Sequence, residues 1–266
     1  GRCPDEGGFR AMTDFVSPGP LAWRAADARP MLEVLAGRDY PRRPLRSLVV
    51  GYCARPEGRP VHPGIVTAMD RAAKLFEQLG HRVELVDLPI AGWNDVFGPL
   101  VLEDEARERG HLLTNPEMLT KYERRSLEAS QRLDIADVER ARRELPVYRQ
   151  RVSDLFLSYD VILTPATAVP AFPLGERPRS IDGQDVDALW GAFPFAVPFN
   201  VAGTPAATTP VGLVDGLPVG AQLVTPMHTE ALLLDVAEAL EEAIAFDHHA
   251  VLSRWNATDQ SGSAPS

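Results

Sequence analysis

The stretch LRSLVVGYCARPEGRPVHPGIVTAMDRAAKLFEQLGHRVELVDL, residues 45–88, decides the fold class. LRSLVVGY is a short β-branched apolar run of strand length. Pro63 then opens a segment with Ile65, Met69, Ala72, Phe76 and Leu79 at helical spacing. Gly80 is placed to end that helix as its C-cap, and HRVELVDL alternates as a strand does. Two strands joined through a helix form a βαβ unit, so an α/β fold with parallel strands is expected.

Working outward, residues 93–150 are charged and mostly helical in pattern, with Pro99, Pro116 and Pro146 setting breaks or kinks. YDVILTP (159–165) reads as another strand stopped by Pro165, followed by a Pro-rich loop to about Asp187. WGAFPFAVPFNVAG (190–203) is too Pro-broken for a long helix. AATTPVGLV and LPVGAQLV flank Asp215-Gly216 and predict a hairpin. Leu232, Val236, Ala239, Leu240 and Ala243 then mark a closing amphipathic helix, preceded by Thr229 and Glu230. Residues 256–266 are polar and Ser-rich and are expected to form a disordered tail. The organisation expected is one domain over residues 1–255 with that tail.

A formal charge of −10 repels a phosphate backbone, so neither nucleic acid nor an anionic membrane surface is an expected partner. Cys3 and Cys53 are the two cysteines, too few for a disulfide framework or a Cys-based zinc site. With no apolar run long enough to span a bilayer and no secretory pattern at GRCPDEGGFR, a cytoplasmic location is expected. The Asn256-Ala257-Thr258 sequon carries no meaning there. Gly1 at the start and a first methionine at Met12 lead us to expect a cut, a fragment or a processed end.

Four ordered strings carry a resemblance. GPLAWRAADARPMLEVLAG (19–37), SLVVGY with EQLGHRVELVDLP, YDVILTPAT, and PFNVAGTPAATTPVGLVDGLPVGAQLV are together similar to the later part of amidase-signature enzymes. The resemblance implies a mixed β-sheet core covered by helices and the hydrolysis or transfer of carboxylic amides. It also implies a serine nucleophile, a second serine in a cis peptide and a lysine as the proton acceptor, with backbone N–H groups holding the oxyanion. Those three residues lie upstream of the segment that Gly1-Arg2-Cys3-Pro4 resembles. The sequence has no Gly-Gly-Ser string, and its two lysines, Lys74 and Lys121, fall on polar helical faces. No catalytic residue can therefore be assigned within the chain.

Other chemistry finds little footing. Cys53 follows a strand with His62 nearby, but nothing places a base beside it, and a small buried thiol is the expected role. Ser17, Ser47 and Ser158 lack a nucleophile elbow. The six histidines, His62, His81, His111, His228, His248 and His249, show no metal-ligand spacing, so no metal is expected. The turn after Val50 lacks the glycines of a dinucleotide loop, and no cofactor is expected. Glu103-Asp104-Glu105 and Glu241-Glu242 read as solvated helix faces, as do Arg42-Arg43, Arg124-Arg125 and Arg142-Arg143.

The resemblance implies that the late segments close one side of an acyl pocket. Candidate substrate contacts are Thr164 and Pro165 at a strand end, Trp190, and Asn200, Gly203 and Thr204 in an irregular segment. Each has a plain structural role beside the functional one. Asn200 and Gln222 can satisfy buried backbone groups, Gly203 can supply an unusual φ, and Trp190, Phe193, Phe195 and Phe199 can pack a core. Arg24 and Pro30 depart from the pattern in a way that predicts a shortened helix capped by Asp27.

Three functions follow. The first is amide hydrolysis, with the catalytic residues outside this chain and a small amide as substrate. The second is a non-catalytic, degenerate binding or structural module, and the third is the catalytic component of a tRNA-dependent amidotransferase. Alone, the chain is expected to expose sheet edges and apolar surface, and so to aggregate, dimerise or be poorly stable, with a homodimer or a complementing N-terminal chain as its partner.

Overall fold

A computed structural model describes Cys3, residues 15–249 and residues 251–253. The tail 256–266 and the sequon fall outside these residues. The sheet is built from β1 (Val49–Tyr52), β2 (Arg82–Leu85), β3 (Val161–Pro165), β6 (Ala206–Val214) and β7 (Leu217–Val224), in the order β2-β1-β3-β7-β6. β1 is parallel to β2 and β3, and the β6–β7 hairpin joins antiparallel to β3. A small separate ribbon pairs β4 (Ser180–Ile181) with β5 (Gln184–Asp185) in the Pro-rich loop. The mixed sheet and its helices are the expected α/β arrangement.

Two apolar layers cover the sheet. β3 is buried along its whole length, and its side chains alternate between faces as the pleat requires. Val161 and Leu163 pack with α2 (Pro63–Gln78) and α7 (Glu230–Ile244), whereas Ile162 packs with α3 (Trp93–Arg109), α5 (Ile135–Ser153) and α6 (Val197–Ala202). α4 (Lys121–Ser130) lies against α3. Thr120 and Glu123 start α4 with a reciprocal capping box.

The βαβ unit forms where the sequence places it. Its helix ends in a Schellman turn at Gly80, φ +88°, with His81 N–H bonded to Phe76 O at 3.0 Å and Gly80 N–H to Glu77 O at 3.0 Å. Ile65, Met69, Ala72 and Phe76 are buried. Leu79, expected on the same stripe, is exposed instead, because it occupies the cap where the chain turns out of the helix. Pro116 opens a short 3₁₀ turn, but Pro99 and Pro146 sit inside continuous helices. Each removes one N–H, and the packing of α3, α5 and α6 on one another outweighs that loss. On α7 the buried face is broader than the stripe predicted. Leu233, Leu234, Val236, Ala237 and Leu240 are buried, while Leu232, Ala239 and Ala243 are half-buried.

The breadth of that face comes from α1 (Ala25–Ala36), which packs on α7. α1 also corrects the expected cap. It starts at Ala25 with Arg24 as N-cap, and Asp27 lies in the first turn. The reason is tertiary: Glu241 of α7 accepts the Ala25 N–H at 2.7 Å, so an orphan donor finds a carboxylate 216 residues away. Glu241 is therefore not the solvated residue its sequence context suggests. Arg29, almost fully buried, locks the pair by donating to Asp235 (2.6 Å), Glu238 (2.8 Å) and Tyr40 O (2.7 Å). Burial pushes the Glu238 carboxyl up, but the hydrogen bonds from Arg42 and Arg29 outweigh it and hold it below the usual range.

The hairpin turn has φ +52° at Asp215 and +80° at Gly216, the two-residue conformation whose twist matches the strands. At the other edge, Leu48 N–H donates to His81 Nδ1 at 3.2 Å, and burial lowers the His81 pKa below 6.5. A lowered base binds fewer protons folded than unfolded. Its contribution is thus complete above the unfolded value and is lost as pH falls through it toward the folded value. His81→Asn keeps an acceptor for Leu48 and removes the titration. Urea melts from about pH 7.5 to about pH 5 should therefore show a shallower loss of stability for the variant. Equal slopes for both proteins would refute the assignment.

Candidate acyl-binding groove

Residues 15–24 form an irregular strap that, with β6, α6 and α7, encloses a groove of about 540 Å³. Its far side is made by Asn200, Gly203 and Thr204 at the end of α6, by Ala206–Pro210 of β6, and by Leu233, Leu234 and Ala237 of α7. α6 ends because Gly203 takes φ +76°, where its N–H reaches Phe199 O at 2.9 Å and Asn200 O at 3.1 Å. Asn200 Nδ2 donates to Phe15 O at 3.1 Å and so ties the strap to α6. Thr204 N–H also bonds Phe199 O, at 3.3 Å. Three of the six candidate residues, Asn200, Gly203 and Thr204, are thereby brought onto one wall.

The other three are elsewhere. Thr164 is wholly buried, its hydroxyl accepting from Gln222 Nε2 at 3.1 Å, and Gln222 also donates to Phe195 O at 3.0 Å. Pro165 is buried beside it. Trp190 sits edge-on to Trp93 (5.4 Å between ring centres) and Phe97 (6.0 Å), and Phe97 in turn packs on Phe15 (5.3 Å). This aromatic chain runs from the groove to a second cavity, which Trp190 and Phe97 line. Phe195 and Phe199 are core residues, and Phe193 is partly exposed.

Reactive groups are sparse along the groove. Lys74 and Lys121 are exposed and are not among its lining residues. Burial pushes the Cys53 thiol up, away from the thiolate a nucleophile needs. His62 caps α2, its Nδ1 accepting Gly64 N–H at 3.2 Å, and its Nε2 faces Asp215 at 3.7 Å. The groove thus offers shape, apolar surface, threonine and asparagine groups, and the charged side chains of Arg24, Glu230 and Glu241. Sequence reasoning missed the strap as a lining element; the Pro18-Gly19-Pro20 run, which bars regular structure, was the signal available.

A family model described as Amidase matches residues 1–234. The chain belongs to the amidase-signature family. Indoleacetamide hydrolase of Bradyrhizobium diazoefficiens is 31% identical over 243 residues, covering 84% of this chain and 45% of that protein. One component of the glutamyl-tRNA(Gln) amidotransferase of Caldanaerobacter subterraneus subsp. tengcongensis is 25% identical, covering 86% of this chain and 54% of that protein. A crystal structure of an amidase superposes with a TM-score of 0.85 at 27% identity over 92% of this chain and 56% of that one. This amidase-family chain therefore spans about half the length of the curated relatives it matches. Among its described residues, no helix is long and apolar enough to cross a membrane.

Proposed function

We propose that the chain furnishes one wall of an amide-hydrolysing site, with the groove between the strap and β6 receiving the acyl part of a small carboxylic amide. The observation that carries this reading is the placement of Asn200, Gly203 and Thr204 beside an apolar groove at the edge of the sheet. The serine nucleophile, the second serine and the lysine belong to a polypeptide segment that packs against this edge. There the lysine amine takes the proton relayed through the second hydroxyl, and backbone N–H groups hold the oxyanion. A net charge of −10 gives a tRNA backbone no net attraction, which supports hydrolysis ahead of transamidation on charged tRNA without excluding it. The family relative that hydrolyses indoleacetamide makes arylacetamides the first substrates to try.

The test joins this chain to an amidase-family segment carrying a lysine and a Gly-Gly-Ser-Ser loop, and measures ammonia release from indoleacetamide, phenylacetamide and aliphatic amides. The joined protein should turn over, a Ser→Ala change in the loop should abolish turnover, and the 266-residue chain alone should release ammonia no faster than buffer. A joined protein that unfolds cooperatively yet hydrolyses none of these amides would sink the proposal. Hydrolysis by the chain alone would overturn the external origin of the nucleophile.

A further inference from the structure

The second cavity, about 520 Å³, lies among α3, α4 and the loop carrying Trp190. Its walls are Phe97, Val101, Tyr122 and Trp190, and its polar lining is Glu105, Arg109, Thr120, Glu123 and Ser126. The sequence context of Glu105, at the end of an acidic triplet, suggested a solvated helix face. The structure corrects that: Glu105 is 4% exposed, because the helix turns this one acid inward between α3 and α4.

Arg109, Glu123 and Thr120 hydrogen-bond to one another and to one oxygen of Glu105. Glu105 Oε1 accepts from Arg109 Nη1 at 3.3 Å, and Arg109 Nη2 donates to Glu123 Oε1 at 2.9 Å. Glu123 Oε2 accepts the Thr120 N–H at 3.1 Å and hydroxyl at 2.8 Å. The other oxygen of Glu105, Oε2, is buried with no partner. Buried carboxylate oxygens are normally hydrogen-bonded. The lining side chains carry two carboxylates against one guanidinium, so the cavity has an excess negative charge. A cation is the ligand whose charge cancels that excess and whose N–H satisfies Oε2. The flat aromatic walls add cation–π attraction and a stacking surface beside it.

We infer that this cavity binds an organic ammonium ion attached to a flat apolar body, with its N–H on Glu105 Oε2 and its ring against Trp190 and Phe97. The site is distinct from the groove and does not depend on the hydrolytic reading, because it lies wholly within described residues of this chain. Phe97 and Trp190 belong both to its wall and to the aromatic chain that ends at Phe15 in the groove. An occupied cavity therefore touches the groove through packed rings.

The probe is phenethylammonium chloride, titrated into the full 266-residue chain at fixed ionic strength, with phenethyl alcohol as its neutral counterpart. Tryptophan fluorescence and calorimetry follow binding. The ammonium should saturate, and the alcohol should bind about tenfold more weakly or worse, the ratio expected when one charge-assisted hydrogen bond is lost. Glu105→Gln keeps an acceptor for Arg109 and removes the charge, and it should weaken ammonium binding by a similar factor. Equal affinity for ammonium and alcohol would overturn the inference, as would unaltered ammonium binding by a folded E105Q. The ligand pair on the unsubstituted chain decides by itself should E105Q fail to fold.

Discussion

Arg29→Met should lower the stability of the chain by about 3–5 kcal/mol, the cost of stripping one partner from a buried ion pair. At about 2–4 °C per kcal/mol for a chain of this size, the melting temperature falls by about 6–20 °C. The magnitude follows from what is left behind. Asp235 is 8% exposed and keeps a single backbone contact, Arg43 N–H at 3.2 Å, while the Tyr40 carbonyl loses its 2.7 Å donor. Arg29→Lys should rescue little, since three separate nitrogens of the guanidinium reach three acceptors and one ammonium has no such fork. Pairing R29M with Asp235→Leu should restore part of the loss, because the stranded carboxylate is then gone. Thermal melts of the parent, R29M, D235L and the double variant check the cycle, and R29K is melted beside them. An R29M chain within about 1 kcal/mol of the parent would show that α1 is not held by this ion pair.

Gly191→Ala is the second large effect, from the addition of a single carbon. A Cβ at that position would stand 2.4 Å from the Asp187 carbonyl oxygen and 2.7 Å from Val186 Cβ. Backbone on the receiving side cannot rotate away as a side-chain tip does, so the 187–191 turn has to open. That turn is well tied: Gly191 N–H bonds Asp187 O at 2.8 Å, and Asp187 Oδ1 accepts the N–H groups of Leu189 (2.9 Å) and Trp190 (2.7 Å). We expect a loss of about 2 kcal/mol or more, in the upper part of the overpacking range. Opening the turn also moves Trp190 off Trp93 and Phe97, so its fluorescence should change and phenethylammonium binding should weaken. Parent-like melting with unchanged emission would argue that the turn yields without cost.

What the sequence revealed is what local chemistry encodes. The βαβ unit was legible because Pro63, the Ile65–Met69–Ala72–Phe76 spacing and Gly80 all act within one helix. The hairpin was legible because Asp215-Gly216 takes the positive φ pair its turn requires. What distant partners decide was not legible. The start of α1 is fixed by Glu241, the solvation of Glu105 by α4, and the width of the buried face of α7 by α1. The candidate site divided the same way. Asn200, Gly203 and Thr204 are neighbours in sequence and share a wall in space, whereas Thr164 and Trp190 were linked to them by motif and lie in the core and in another cavity.

The hairpin sets a limit on assembly. Among the described residues β6 forms the outer rim of the sheet, and its pairing slips between Pro210 and Gly212, where a bulge interrupts the ladder. Pro210 has no N–H to offer a newcomer. Ahead of that break, the regular docking rail runs over Ala206–Thr209, about 14 Å at strand rise. A rail of four residues is long enough to register one short incoming strand and too short to template sheet upon sheet. A strand added at this rim would keep one register over about four residues, and the slip at Pro210 would break the ladder beyond them.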